Sequence, residues 1–559
     1  MPHNKHREAI LVNFATHLTL PWVLAALIAW AAASTPLTAN AQVLRWASAG
    51  DMQTLDPHAQ NDALSNSLNA HVYERLTARD EGLALVPGLA QRWEQVDTLT
   101  WRFTLRAGVR FHDGAVLGAD DVVFSVLRAQ HANSGIANYA RALGTPARLA
   151  ADVVEFKLSK PNPVLLDHVD AVFIMNKAWS LAHGVAVPFS RKEGQTSYAL
   201  LNANGTGAYV LARREPDVRT TFTRNTQYWA PLLGNVQEVV FTPIGSAAAR
   251  SAALLSDAVD LVIDPAPQDL VPLAKAADLH LLSGVENRVI FLGFDQQRED
   301  LLYSSTKGRN PFKDLKVRQA LAHAIDSQAL HTHIMRGQSV TTGCMTPSPL
   351  ACNDAPELDA QRPAFDLARA RALLVQAGYP HGFDITLDCP NNRYLNDEAL
   401  CVAIASMLAR VNIKVRVNAM PRAQFFAKLE KLDTSFYLLG WGGAETDAQP
   451  TMDPLMHSYD AATGRGDGNN GRFSDPQLDA LIDAAAIEVN PAKRKDLVRQ
   501  ALLLHHSQLY HLVLHRQKLT WAMRRTVDAQ PAANNHVRSW LILVKPDGRP
   551  TTTKTVSAQ

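Results

Sequence analysis

Apolar and polar positions alternate most clearly between Trp101 and Leu105, where Trp101, Phe103 and Leu105 are interleaved with Arg102 and Thr104, the period of a half-buried strand. Ala107-Gly108 supplies a bend, Val109 and Phe111 continue the pattern, and His112-Asp113-Gly114 reads as a turn. A helix is predicted next, with Gly118 as N-cap, Asp120 and Asp121 in its first turn, and Val123, Val126 and Leu127 on its apolar face. The spacing of Leu68, Val72, Tyr73 and Leu76 predicts an earlier helix over 66–76, after an ordered loop at Leu55-Asp56-Pro57-His58.

Further along, Val153–Leu158 reads as a strand closed by Pro161-Asn162-Pro163. Gly205-Thr206-Gly207 feeds a hairpin around Glu215-Pro216-Asp217, a helix covers 247–255, and a short buried strand covers 258–264. Val289–Phe294 is an apolar strand. Beyond it helices and strands alternate: helix 365–378, strand 383–387, helix 397–410, strand 413–417 and strand 434–439. The last of these delivers Gly440-Trp441-Gly442-Gly443 into a loop.

Composition bounds the reading without directing it. The chain has 559 residues, enough for more than one core, with 47% hydrophobic and 19% charged residues and a net charge of +2, which gives no reason to expect nucleic acid. At the N-terminus, Lys5 and Arg7 precede an apolar run from Leu18 to Ala33, and Ala39-Asn40-Ala41 offers a cleavage site before Gln42. The run is short for a bilayer span, so residues 1–41 read as a secretory signal peptide rather than an uncleaved anchor.

Export permits disulfides among Cys344, Cys352, Cys389 and Cys401. The pairs Cys344–Cys352 and Cys389–Cys401 close the shortest loops and are preferred; free buried thiols and, without any C-x-x-C pair, a zinc site are the competing readings. His505, His506, His511 and His515 fall close together but do not show converging metal-ligand spacing, so no metal or cofactor is expected. No nucleophile elbow, H-E-x-x-H helix or phosphate loop is present. The Gly205-Thr206-Gly207 turn lacks the following Lys-Ser/Thr, and enzyme chemistry is not expected.

The stretch Gly88–Arg128, with Trp93-Glu94, then Leu105-Arg-x-Gly-Val-x-Phe-His-Asp-Gly114, then Ala119-Asp-Asp-Val-Val-Phe-Ser125, resembles the extracytoplasmic solute-binding proteins of ABC importers, in the dipeptide/oligopeptide-binding class. The Gly-Thr-Gly turn and the Asn225-x-x-Tyr-Trp229 ending of its hairpin resemble a second hallmark of that family. The resemblance implies an α/β, two-lobed periplasmic binding protein fold with mixed sheets, a hinge of two crossover segments and an extra subdomain inserted in the first lobe. The first lobe would comprise 42–77, 205–295 and 519–559, the insert 78–204 and the second lobe 296–518, with one crossover near Phe294–Asp295. The implied function is a monomeric periplasmic receptor that captures a short peptide, or a related carboxylate-bearing solute, and delivers it to ABC permease subunits in the inner membrane. A non-peptide ligand, a sensing role and an exported hydrolase are the alternatives.

The same resemblance nominates the contacts. Asn61, Asp62 and Ala63 match cleft-lining backbone, and Gly440, Trp441 and Gly442 match a cleft tryptophan beside backbone that pairs with ligand. Arg393 matches a position that holds the ligand carboxylate in some dipeptide-binding members, a task for which the guanidinium fork is suited. Relatives often carry an Asp three residues after the tryptophan to pair with the ligand ammonium. Here that residue is Ala444, leaving Glu445 and Asp447 as the nearest acids.

Overall fold

Two long antiparallel strands, Leu279–Phe294 and His511–Arg524, run through the whole molecule and carry one eleven-stranded sheet with them. In the computed structural model, which describes residues 42–545 apart from 81, 191–195, 348–351, 353–354 and 444–445, they lie side by side at the middle of that sheet. On one flank the order is Phe436–Gly442, Asp384–Pro390 and Lys414–Met420. On the other it is Leu261–Ile263, Val43–Ser48, Glu238–Pro243, Arg219–Arg224 and Tyr209–Glu215, and the eleventh strand, Ser339–Thr341, lies off this path and pairs with His511–Arg524. The predicted signal segment, 1–41, lies outside the described residues.

The two flanks build separate cores. Leu44, Trp46, Phe222, Phe241 and Trp521 close the first; Ile290, Leu292, Leu387, Ile404 and Leu438 belong to the second. The long strands change partners where their register slips, between Val285 and Val289. Phe294, near which the resemblance implies a crossover, pairs with Phe436 in the second flank. Composition around 279–288 is mixed, so the periodicity shows only the apolar second half of a 16-residue strand.

A third core belongs to the insert. Strands Ala90–Asp97, Thr100–Leu105, Val153–Lys157 and Thr145–Ala150 form a four-stranded antiparallel sheet, with Phe103 and Phe156 fully buried. The helix Ala119–Ala129 packs on it and starts as expected: Gly118 is its extended N-cap, and the Asp121 carboxylate accepts the Gly118 N–H at 3.0 Å. Its buried face is Val122 and Val126, not Leu127, which is 51% exposed. Gly108 takes φ +75°, the left-handed conformation that its bend requires.

The predicted helix over 66–76 is a correction. The helix is Ala63–Asn69, and the chain then turns although Val72, Tyr73 and Leu76 are buried. The reason is the Gly-Thr-Gly segment, whose backbone runs against this stretch. The N–H groups of Gly207 and Tyr209 donate to the carbonyls of Val72 and His71 at 2.8 and 2.9 Å. Those acceptors cannot also continue a helix. A Cβ on Gly205 would fall 2.0 Å from the Val72 carbonyl oxygen, so only glycine admits this approach.

Both preferred cysteine pairs are bonded, Cys344–Cys352 and Cys389–Cys401. His505 and His511 are buried and share a hydrogen bond at 3.0 Å between Nε2 and Nδ1. Burial holds both imidazoles well below their ordinary range, and no cluster of metal-ligating side chains occurs among the described residues.

Candidate ligand-binding site

A cleft of about 300 Å³ opens where the insert and the first flank face the second. It gathers Asn61, Asp62 and Ala63 on one side and Arg393, Gly440, Trp441 and Gly442 on the other. These residues are remote in sequence and meet because the two long strands bring the sheet flanks together.

Arg393 sits on the loop between strand Asp384–Pro390 and helix Asp397–Ala409. The Cys389–Cys401 bond joins that strand to that helix, so it ties the loop at both ends. Asp397 accepts the backbone N–H groups of Arg393 and Tyr394 at 2.9 Å each. The Tyr394 hydroxyl donates to the Gly440 carbonyl at 3.1 Å, and the Leu395 N–H donates to Gln517 Oε1 at 3.0 Å. Gln517 Nε2 in turn donates to Glu286 at 2.8 Å. Thus the loop that presents Arg393 is hydrogen-bonded to one long strand at Gln517, which links it on to Glu286 of the other, and to the strand Phe436–Gly442 at Gly440.

Asp62 is the N-cap of the helix Ala63–Asn69, and its Oδ2 accepts the Ser65 N–H and hydroxyl at 2.9 Å each. The same oxygen lies 2.6 Å from Arg422 Nη2, while Oδ1 lies 3.4 Å from Arg393 Nη2. Burial opposes charge on this carboxylate, but Arg422 and Arg393 outweigh it and hold the group well below the usual range. Burial, and then the neighbouring Arg288 cation, lower the Arg393 guanidinium. Arg288 itself is buried, yet Glu286, with a bond of 2.7 Å, more than compensates and raises it.

Asp62 is set in place by the insert. Asp56, six residues earlier, is fully buried and receives two bonds from Arg128, at 2.8 and 2.6 Å. Burial alone would raise the Asp56 carboxyl, but Arg128 overrides it and lowers the group. Arg128 closes the helix that carries the Gly88–Arg128 signature, so that helix anchors the loop leading into the cleft.

Trp441 is half-buried and pairs with Val289. The strand Phe436–Gly442 includes Gly440, Trp441 and Gly442, so the loop expected from Gly440 begins three residues later, at Gly443. Asp447 does not line the cleft. Its carboxylate is held by both Nη atoms of Arg494 at 2.7 Å, and it accepts the Gln449 N–H. Ala444 and Glu445 lie outside the described residues. Sequence reasoning missed Arg288, Arg422 and Asp170, which also line this cleft or the adjoining cavity of about 470 Å³. No local pattern marks them, since only the tertiary arrangement brings them to the cleft and its adjoining cavity.

A two-lobed α/β body with a charged cleft at its hinge defines the class of solute-binding receptors. The model of the bacterial extracellular solute-binding proteins, family 5, matches residues 84–463, and the chain belongs to that family. The dipeptide-binding protein of Escherichia coli K12 is 25% identical over 516 residues, covering 87% of this chain and 92% of that protein. Among solved structures, the periplasmic binding protein DppA from Helicobacter pylori in complex with the peptide STSA superposes with a TM-score of 0.79 at 21% identity, covering 90% of this chain and 98% of that one. AgaA from A. tumefaciens R10, in complex with agropinic acid, does so with a TM-score of 0.76 at 22% identity, covering 89% and 96%. These likenesses establish the two-lobed fold.

Proposed function

We propose that the chain is a periplasmic receptor that captures a short peptide or related carboxylate-bearing solute between its lobes and delivers it to an inner-membrane ABC permease. The observation that carries this reading is Arg393: a guanidinium on a loop stapled by Cys389–Cys401, facing the cleft, with Nε free of any hydrogen-bond acceptor among the described residues. A ligand carboxylate suits that donor. The E. coli and H. pylori relatives named for dipeptide or peptide binding support a peptide. Residues 1–41 act as a cleaved signal, the lobes divide at the register slip between Val285 and Val289 and again near Gln517–Leu519, and residues 78–204 form the insert.

A non-peptide ligand is the second reading. It is favoured by Ala444, which has no charge to offer an ammonium, and by the engagement of Asp447 with Arg494. A thermal-shift screen of di- to pentapeptides against other small carboxylates separates the two. A ligand at about 100 times its Kd adds roughly 2.7 kcal/mol of stability, a readily measured rise. Shifts with peptides support the first reading; shifts only with non-peptides overturn it. Recovery of the bound molecule unchanged, by mass spectrometry after denaturation, tests that no turnover occurs.

A further inference from the structure

The insert meets the second lobe at a seam that involves neither long strand. On the insert side stands the helix Ala137–Arg141, seated on the insert core by Tyr139 and Ala140. Opposite it the second lobe presents a tight turn over 460–465, where the Asp460 carbonyl accepts the Gly464 N–H and the Asp460 carboxylate accepts the Thr463 hydroxyl, each at 2.7 Å. Three bonds cross the seam. Arg141 Nη1 donates to the Thr463 carbonyl at 3.2 Å, the Tyr139 hydroxyl donates to the Pro450 carbonyl at 3.2 Å, and the Asn138 side chain is hydrogen-bonded to Asp467. Arg141 Nε also donates to the Gln130 carbonyl of the insert at 3.2 Å, which fixes the guanidinium on its own side. Gly464 admits the close approach: at φ +77°, an added Cβ would lie 2.6 Å from Asn138 Oδ1 and 2.9 Å from Arg141 Nη1.

This seam is separate from the ligand contacts. Asn138, Arg141 and Thr463 line a cavity of about 210 Å³ along it and do not line the cleft, whereas Tyr139 lines both. The partners that the second lobe offers are two backbone carbonyls and one carboxylate, all presented without help from a ligand. Bonds that form when the lobes approach, and that touch no ligand, favour the closed state equally whatever is bound. We propose that the insert is a second jaw of the receptor and that its seam with the second lobe latches the closed state. Asn138 and Arg141 are then positioning residues that raise the affinity for every ligand by one common factor, while the cleft residues choose among ligands. This rests on the reading of the cleft as the ligand site.

Asn138→Ala combined with Arg141→Ala tests the latch and leaves the cleft intact. Closure is read from the distance between nitroxide labels at Leu149→Cys of the insert and Val489→Cys of the second lobe, two side chains 50% and 61% exposed. The native cysteines are bonded to each other, so only the introduced thiols take label. Calorimetric titration with Ala-Ala and Ala-Ala-Ala reads affinity. The double variant is expected to bind both peptides more weakly by the same factor, about threefold to tenfold, the scale of one or two hydrogen bonds, and to need that much more peptide to close. Arg141→Lys, which keeps a donor, is expected to recover part of the loss. A loss confined to one peptide would place these side chains on the ligand, and unchanged affinity would remove the latch; either overturns the proposal. If neither peptide binds, it is the peptide reading that suffers, and the unliganded distances decide the latch: a smaller short-distance population in the double variant supports it, and an unchanged one overturns it. Should the double variant melt early, Arg141→Ala alone, at an exposed position, decides by the same measurements.

Discussion

Asp62 places its carboxylate 3.4 Å from the Arg393 guanidinium, joining an N-cap of the first lobe to a stapled loop of the second across the cleft. On the proposed reading of the cleft, lobe closure and recognition of an anion share one arginine. A ligand carboxylate that engages Arg393 does so beside Asp62, and the ligand's differential affinity for the closed arrangement sets how far it shifts the population.

Arg393→Ala removes the fork and is expected to weaken carboxylate ligands by about 10- to 100-fold, the scale of a charge-assisted bond. Arg393→Lys keeps the charge but not the fork, and should recover only part of the loss. Titration calorimetry with a ligand and its carboxamide is the check. Equal losses for both forms would show that Arg393 does not contact the carboxylate.

Arg128 and Asp56 are completely buried and mutually bonded. Removing one partner strands the other charge in the interior, so Arg128→Met should cost about 3–5 kcal/mol in denaturant unfolding. Adding Asp56→Asn to that variant should recover a large part, because the stranded carboxylate is gone. Ligand affinity is expected to fall in Arg128→Met as well, since Asp56 anchors the loop that presents Asp62. Additive stability losses in the double variant would argue against direct coupling.

The strand, bend and capped helix of 100–129 were legible because period-two alternation, a glycine bend and N-terminal acids are local signals. The local disulfides and the alternating elements of the second lobe were legible on similar grounds. The helix at 66–76 was misread because apolar spacing does not reveal that the His71 and Val72 carbonyls are taken by a segment more than 130 residues away. The long strand 279–294 was half-seen because its first half is mixed in composition and partly exposed, and Glu286 and Arg288 are buried by pairing with each other rather than by an apolar pattern. The nominated cleft residues came from family likeness. Arg422, in a helix start with no distinguishing motif, had no such support.

The two disulfides are expected to separate in their effects. Loss of Cys389–Cys401 by a double serine substitution opens a loop of 12 residues and should cost about 3 kcal/mol. It also frees the Arg393 loop, so ligand affinity should drop. The matching change at Cys344 and Cys352, which do not line the cleft, should lower stability with little effect on affinity. Unfolding and titration of both variants decide it. Equal affinity losses would refute the stapling role.

Asp264 provides a pH test at the hinge. It lines the cavity next to the cleft, accepts one bond from Asn535 Nδ2 at 2.7 Å, and has no partner for Oδ1 among the described residues. Burial, reinforced by the Glu286 charge, pushes its carboxyl up to about 7. The folded state thus holds a proton on Asp264 over a range in which the unfolded chain has released it. Stability from this group is complete below the ordinary carboxylate range and is lost as pH rises through about 7. Asp264→Asn removes the titration while keeping a hydrogen-bonding side chain. The melting temperature of the variant relative to wild type is therefore expected to increase between pH 5 and pH 8. Buried histidines such as His71, pushed down to about 4, act with the opposite sign, their stabilising contribution fading as pH falls below the ordinary imidazole range. Because both proteins share those histidines, the difference between them isolates Asp264. A difference that stays flat across that window would show that Asp264 is already ionised in the folded protein.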